Sequence, residues 1–231
     1  MKHCLLSYGT HCTAIESSKR LEELVLSIGG RCSLGGWIST VYPNAIFKSL
    51  LSHRDSLRHL DLDFEGHVLT DELSDTTGGF TSYEKYGAWE EVDGDEVIEP
   101  PKKPLAELLK GKSLREFTEM KHLSIGIHLL YHFAGGVGND KEVEHTSLAD
   151  GLPQSLESLR VYGYDKSQQT LMYQVPDLRL DLHIAKFMAE KDTKLPRLKR
   201  VEGVEEYIPN GEMVKDPDNN TELLWKRATT E

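Results

Sequence analysis

One short phrase recurs through this chain. An apolar residue is followed by apolar residues three, five and often seven positions later: Leu21-Leu24-Leu26-Ile28, Leu57-Leu60-Leu62-Phe64, Met120-Leu123-Ile125-Ile127 and Leu156-Leu159-Val161. A weaker fifth copy, Leu198-Val201, has Gly203 at its third apolar position. The copies begin 36, 63, 36 and 42 residues apart. Inside each copy the last apolar residues recur every second position, as a short strand with one buried face requires.

Helical patterns precede most copies. Ala45, Ile46, Ser49 and Leu50 lead into the second, with Pro43-Asn44 as a start signal. Pro104, Leu105, Leu108 and Leu109 open a helix before the third, and Ile184, Phe187 and Met188 mark one before the fifth. The stretch Leu148–Pro153 predicts only a short helical turn before the fourth. A helix and then a strand, repeated, puts parallel strands side by side. Since one such unit cannot bury its apolar face alone, the units are expected to stack. The fold class expected is α/β: a solenoid of about five irregular repeats, with short parallel strands on the concave side and helices on the convex side.

These L-x-x-L-x-L cores, with the lead-ins Leu152-Pro153-Gln154-Ser155-Leu156 and Leu195-Pro196-Arg197-Leu198, resemble leucine-rich repeats, in particular the irregular repeats of fungal F-box and leucine-rich-repeat proteins. The resemblance covers about residues 13–206. It implies a substrate- or partner-recognition role, such as the recognition part of an F-box-type ubiquitin-ligase adaptor. Two departures qualify it. Gly29, Glu65, His128 and Tyr164 stand where the family places Asn or Cys, so no asparagine ladder is expected. No F-box-like helical segment precedes the first repeat, so scaffold binding is not carried over.

Three regions interrupt the pattern. Residues 66–104, with Gly78-Gly79 and Pro100-Pro101, read as a long, partly disordered insertion, or as cover for one degenerate repeat around Tyr86–Val92. Residues 134–147 read as a loop. The expected organisation is one solenoid over 1–208 and a partly disordered tail over 209–231, ending in a short helix at Glu222–Arg227.

Charge is concentrated. Residues 61–99 hold thirteen acids against one base, a charge of −12 that leaves +1 for the rest of a chain whose net is −11. Phosphate binding needs clustered Lys and Arg, so nucleic acid is not expected as a partner. No run of 18 apolar residues suggests a membrane span, and the first twenty residues lack the apolar core of a signal peptide. Three cysteines do not make a disulfide framework. The expected location is intracellular, cytoplasmic or nuclear.

Motifs for catalysis are missing: there is no G-x-S-x-G elbow, no phosphate-binding G-x-x-x-x-G-K-[ST] loop and no G-x-G-x-x-G. His128 and His132 have no Glu between them of the kind a zinc-protease helix needs. No enzyme and no cofactor are expected. One stretch matches a calcium loop, with Asp61, Asp63, Glu65 and Glu72 at positions 1, 3, 5 and 12 and Gly66 at position 6. Calcium binding through these four acids is the alternative function, against a second reading of Leu62 and Phe64 as inward strand residues.

The solenoid reading supplies a binding face. Residues between the buried ones point to the other side of the sheet and fall into three rows: Glu23, His59, His122, Ser158, Arg200; then Val25, Asp61, Ser124, Arg160, Glu202; then Ser27, Asp63, Gly126, Tyr162, Val204. His59, Asp61 and His122 meet if their strands are neighbours. The expected function is protein–protein interaction through this polar face: His59, Asp61, Asp63, His122, Ser124, Arg160, Tyr162, Arg200 and Glu202, centred on Arg160 and Tyr162, residue types that anchor interfaces.

Overall fold

The computed structural model describes residues 8–27, 31–33, 43–63, 113–135, 147–166, 180–209, 211–215, 217–218 and 222–226. Five short strands form one all-parallel sheet: β1 (Glu23–Ser27), β3 (His59–Asp63), β4 (His122–Gly126), β5 (Ser158–Tyr162) and β6 (Arg200–Glu202). Within this sheet they lie side by side in chain order. Parallel neighbours need long crossovers, and helices supply part of them: α2 (Pro43–Leu51) before β3 and α4 (Leu180–Lys194) before β6. The chain is therefore of the α/β class.

The register is the one that the recurring phrase predicts. Leu24, Leu60, Leu123, Leu159 and Val201 pair across all five strands, and Leu26, Leu62, Ile125 and Val161 across four. All but Leu24 and Val201 are buried, and those two pack against the core from the edge strands. A second regularity lies at the strand entrances. The carbonyl of Glu22 accepts from the N–H groups of Arg58 and His59, that of Arg58 from Lys121 and His122, that of Lys121 from Glu157 and Ser158, and that of Glu157 from Lys199 and Arg200. Each copy of the phrase is thus joined to the next by the same pair of bonds.

Helices cover the apolar face. Leu180, Ile184 and Phe187 are the buried positions of α4, spaced to form one stripe. In α2, Ile46, Phe47 and Leu50 are buried. Phe47 packs edge-on against Phe117 at 6.0 Å and, tilted, against Phe133 at 5.0 Å. Phe133 belongs to a helical segment that leaves β4 directly, an α-turn α3 (Ile127–Leu130) running into a π-turn (Tyr131–Gly135). The lead-in to β5 is a single 3-10 turn, Leu148–Gly151, in keeping with the short helical turn read there. The Lys194 ammonium donates to Asp150 at 2.7 Å and so ties the end of α4 to that turn.

Three features depart from the sequence reading. A helix, α1 (Tyr8–Glu16), precedes the first strand. It is held to α2 by a Ser49 hydroxyl donating to Glu16 at 2.8 Å, and to the following turn by buried His53, whose Nε2 lies 2.8 Å from the Ile15 carbonyl oxygen. Its apolar residues are too weakly spaced to mark a helix face in the sequence. The C-terminal segment is not a helix: β7 (Glu212–Lys215) and β8 (Glu222–Lys226) run antiparallel, and β8 also pairs with β2 (Arg31–Ser33) in a separate three-stranded sheet. Pairing with a distant segment overrides local helix propensity here. Third, Gly203 has a reason to be glycine. Its φ is +80°, and a Cβ there would collide with the Val161 carbonyl. Tyr164 is buried, and burial pushes its phenol above the ordinary value with help from Asp181 and Asp165.

Several expectations lie outside the described residues: the insertion 66–104 with its hidden repeat at 86–92, the helix opened by Pro104, and most of the loop 134–147.

Candidate functional site

The face of the sheet opposite the apolar core is polar, and the strand register assembles it in rows. Glu23, His59, His122, Ser158 and Arg200 pair in one line across five strands; Val25, Asp61, Ser124, Arg160 and Glu202 pair in the next. In the third row Asp63 follows Ser27, and Tyr162 pairs with Gly126.

Exposure falls steeply along the strands. The first row is open: Glu23, His122 and Arg200 are exposed, with His59 and Ser158 half-buried. The second is mixed, with Asp61 buried and Ser124, Arg160 and Glu202 half-buried. In the third, Asp63, Gly126, Tyr162 and Val204 are all buried. This corrects one expectation. Tyr162 is 4% exposed and Asp63 1%, so neither presents a side chain to a partner. An outward position in a strand means only the side away from one core, and this end of the polar face is covered as well.

Two groups of side chains organise what remains. At the β5–β6 end, Arg160 Nε donates to Glu202 Oε2 at 2.7 Å, and Arg200 pairs with the other oxygen of the same carboxylate. Burial pushes the Glu202 carboxyl up, but the hydrogen bond and charge of Arg160, with Arg200 adding, hold it below the ordinary value. The Arg160 guanidinium is held above its ordinary value by its hydrogen bond to Glu202, which outweighs burial. Arg160 is therefore committed to a neighbour within the sheet instead of offering a free fork to an incoming carboxylate. Beside it the Tyr162 hydroxyl donates to Asp61, 3.3 Å from Oδ1.

At the open end the rings of His59 and His122 meet edge to face with centroids 5.8 Å apart. His59 Nδ1 lies 3.6 Å from Glu23 Oε1, and His122 Nδ1 hydrogen bonds with the Ser158 hydroxyl at 2.8 Å. The three expected neighbours His59, Asp61 and His122 thus divide: the histidines face each other, while Asp61 turns to Tyr162. Just below this row runs a line of charges that the sequence reading missed, in which Arg58 reaches Glu22 at 4.0 Å and Lys121 reaches Glu157 at 3.1 Å. The Lys121 hydrogen bond and charge hold the Glu157 carboxyl below its ordinary value, with Lys199 and His122 assisting.

The calcium reading fares differently. Asp61 and Asp63 belong to β3, paired with β1 on one side and, through Asp61, with β4 on the other. An extended strand holds its carboxylates apart and does not curl around one ion as the loop geometry demands. Glu65 and Glu72 lie outside the described residues. Among the described residues no group of three or more His, Cys, Asp or Glu side chains is arranged to hold a metal ion, and no helix is long and apolar enough to cross a membrane. Open α/β sheets bind nucleotides where strand order reverses; the order here runs one way from β1 to β6. Comparison with known proteins finds no match for this chain: no family model, no curated protein and no solved structure.

Proposed function

We propose that this chain is a non-enzymatic protein-interaction module, built as a leucine-rich-repeat-like solenoid whose strand face receives a protein partner. The repeating register and the identical entrance bonds at Glu22, Arg58, Lys121 and Glu157 support the solenoid reading. The observation that carries the functional reading is the open row Glu23, His59, His122, Ser158 and Arg200, which spans five strands in register with polar side chains available to solvent. A flat polar row of this length suits a polar protein or peptide surface better than an apolar small molecule. The recognition surface lies at the strand-entrance end of the face. Arg160, Tyr162, Asp61 and Asp63 lie further along the same strands. By resemblance to F-box and leucine-rich-repeat proteins, the role proposed is substrate recognition within a larger assembly.

The test places two changes at the ends of the open face, Val25→Arg and Arg200→Ala, and captures partners from a native extract. Val25 is 39% exposed and the Arg200 side chain 68%, so the fold should tolerate both. The expected result is loss of partners that the unaltered protein retains, with hydrogen-exchange protection by those partners mapping to the strand entrances at residues 23, 59, 122, 158 and 200. Unchanged capture and protection located elsewhere would overturn the reading.

A further inference from the structure

We propose that His59 and His122 form an open, two-imidazole binding site for a borderline divalent cation of the Zn²⁺ or Cu²⁺ class. The two residues are paired directly across β3 and β4, so their side chains leave the sheet side by side. Their ring centroids stand 5.8 Å apart. The contact is edge to face, and at this separation a side-chain rotation that opens it lets both rings reach one ion with Zn–N bonds of about 2.0–2.1 Å.

The surroundings favour this use. His59 Nδ1 faces the Glu23 carboxylate at 3.6 Å, and His122 Nδ1 is held by the Ser158 hydroxyl at 2.8 Å. Metal-binding histidines characteristically use one ring nitrogen for a carboxylate or other polar neighbour, which orients the ring and fixes the tautomer. Here both rings have such a neighbour on Nδ1, one on each flank, and Nε2 is left for an outside ligand. Imidazole selects Zn, Cu and Ni over the hard ions Mg²⁺ and Ca²⁺, which want oxygen. Because the pair supplies two ligands, the ion keeps open positions, unlike a structural zinc site with four protein ligands. Water fills those positions in the isolated protein. The site does not depend on whether a partner docks on this face.

The experiment titrates the full chain with ZnCl₂ and follows imidazole resonances by ¹H–¹⁵N NMR, with calorimetry for stoichiometry. The chain has ten histidines, so the spectrum must say which respond. The proposal expects saturation at one ion per chain, with His59 and His122 shifting together. His59→Gln and His122→Gln are each expected to weaken binding by about tenfold or more, because losing one ligand removes the chelate. Absence of saturable binding, shifts confined to other histidines, or undiminished affinity in both variants would overturn it. The wild-type spectrum decides the matter even if a variant folds poorly. Binding of Zn²⁺ concerns the protein alone, so its failure is distinct from a failure to capture a protein partner.

Discussion

The hydroxyl of Tyr162 on β5 reaches Asp61 on β3, two strands away, with Oη 3.3 Å from Oδ1. On the intervening strand β4, Tyr162 pairs with Gly126. Both residues are buried, Tyr162 at 4% and Asp61 at 9% exposure. A residue type associated with interface anchors is used here as a brace within the sheet.

Two substitutions separate the ring from the hydroxyl. Tyr162→Phe keeps the ring and removes one donor from a buried carboxylate, and should destabilise by about 1 kcal/mol. Tyr162→Ala empties the space as well and should cost about 3 kcal/mol or more. Urea unfolding of both variants checks this. If Tyr162→Ala is as stable as the wild type, Tyr162 is not the brace described.

The strands were readable from sequence because their signal is local. Leu60-Leu62, Leu123-Ile125 and Leu159-Val161 alternate with polar residues over five positions, and burial of one face requires that alternation. The register followed, since aligning the apolar pairs aligns everything else. What escaped depends on distant contacts. Nothing near Asp63 or Tyr162 says that their end of the polar face is covered. Residues 222–226 carry good helix formers and become a strand through pairing with β2 and β7. The Gly203 position looked like a defect in the repeat, and only the closeness of the Val161 backbone shows why a side chain is excluded. For the site, the rows were legible and their depth was not.

Gly203→Ala is expected to be strongly destabilising although it adds one methyl group. The left-handed φ of +80° alone costs an L-residue about 1–2 kcal/mol. The collision with the Val161 carbonyl must then be relieved by moving β5 away from the turn after β6. A loss of about 2 kcal/mol or more in chemical denaturation is the expected outcome. A variant within about 0.5 kcal/mol of wild type, the range of ordinary surface changes, would contradict the geometry.

Glu202 gives a pH signature. Its carboxyl is held below the ordinary value in the folded chain, so its contribution is present above the unfolded value of about 4.3 and is lost as pH falls through the folded value. Glu202 and Arg160 are partly exposed, 24% and 34% at their side chains, which keeps the effect to about 1 kcal/mol or less. Glu202→Gln should therefore be less stable than wild type at pH 7, with the gap closing below about pH 4. A gap that widens on acidification would mean that Glu202 does not carry the charge partner described.

The last prediction concerns two serines that join neighbouring strands of the sheet. Ser56 stands just before Leu57 and donates to the Leu21 carbonyl at 2.9 Å; Ser155 stands just before Leu156 and donates to the Met120 carbonyl at 2.7 Å. These are equivalent bonds: in each, a serine reaches back to the first apolar residue of the preceding unit across a separation of 35 residues. The equivalent positions in the third and fifth units are Glu119 and Arg197, so the bond appears at alternate interfaces. Each serine is part-buried, and its removal should cost about 1 kcal/mol. The β1–β3 and β4–β5 interfaces that they fasten share no strand and no partner, so Ser56→Ala and Ser155→Ala should add to within about 0.5 kcal/mol in the double variant. Additivity of this kind is expected of two bonds that lie in separate interfaces of the sheet and share no partner. Denaturant unfolding of the two single variants and the double variant measures it. An interaction term well above about 0.5 kcal/mol would show that the two interfaces do not act as independent contacts.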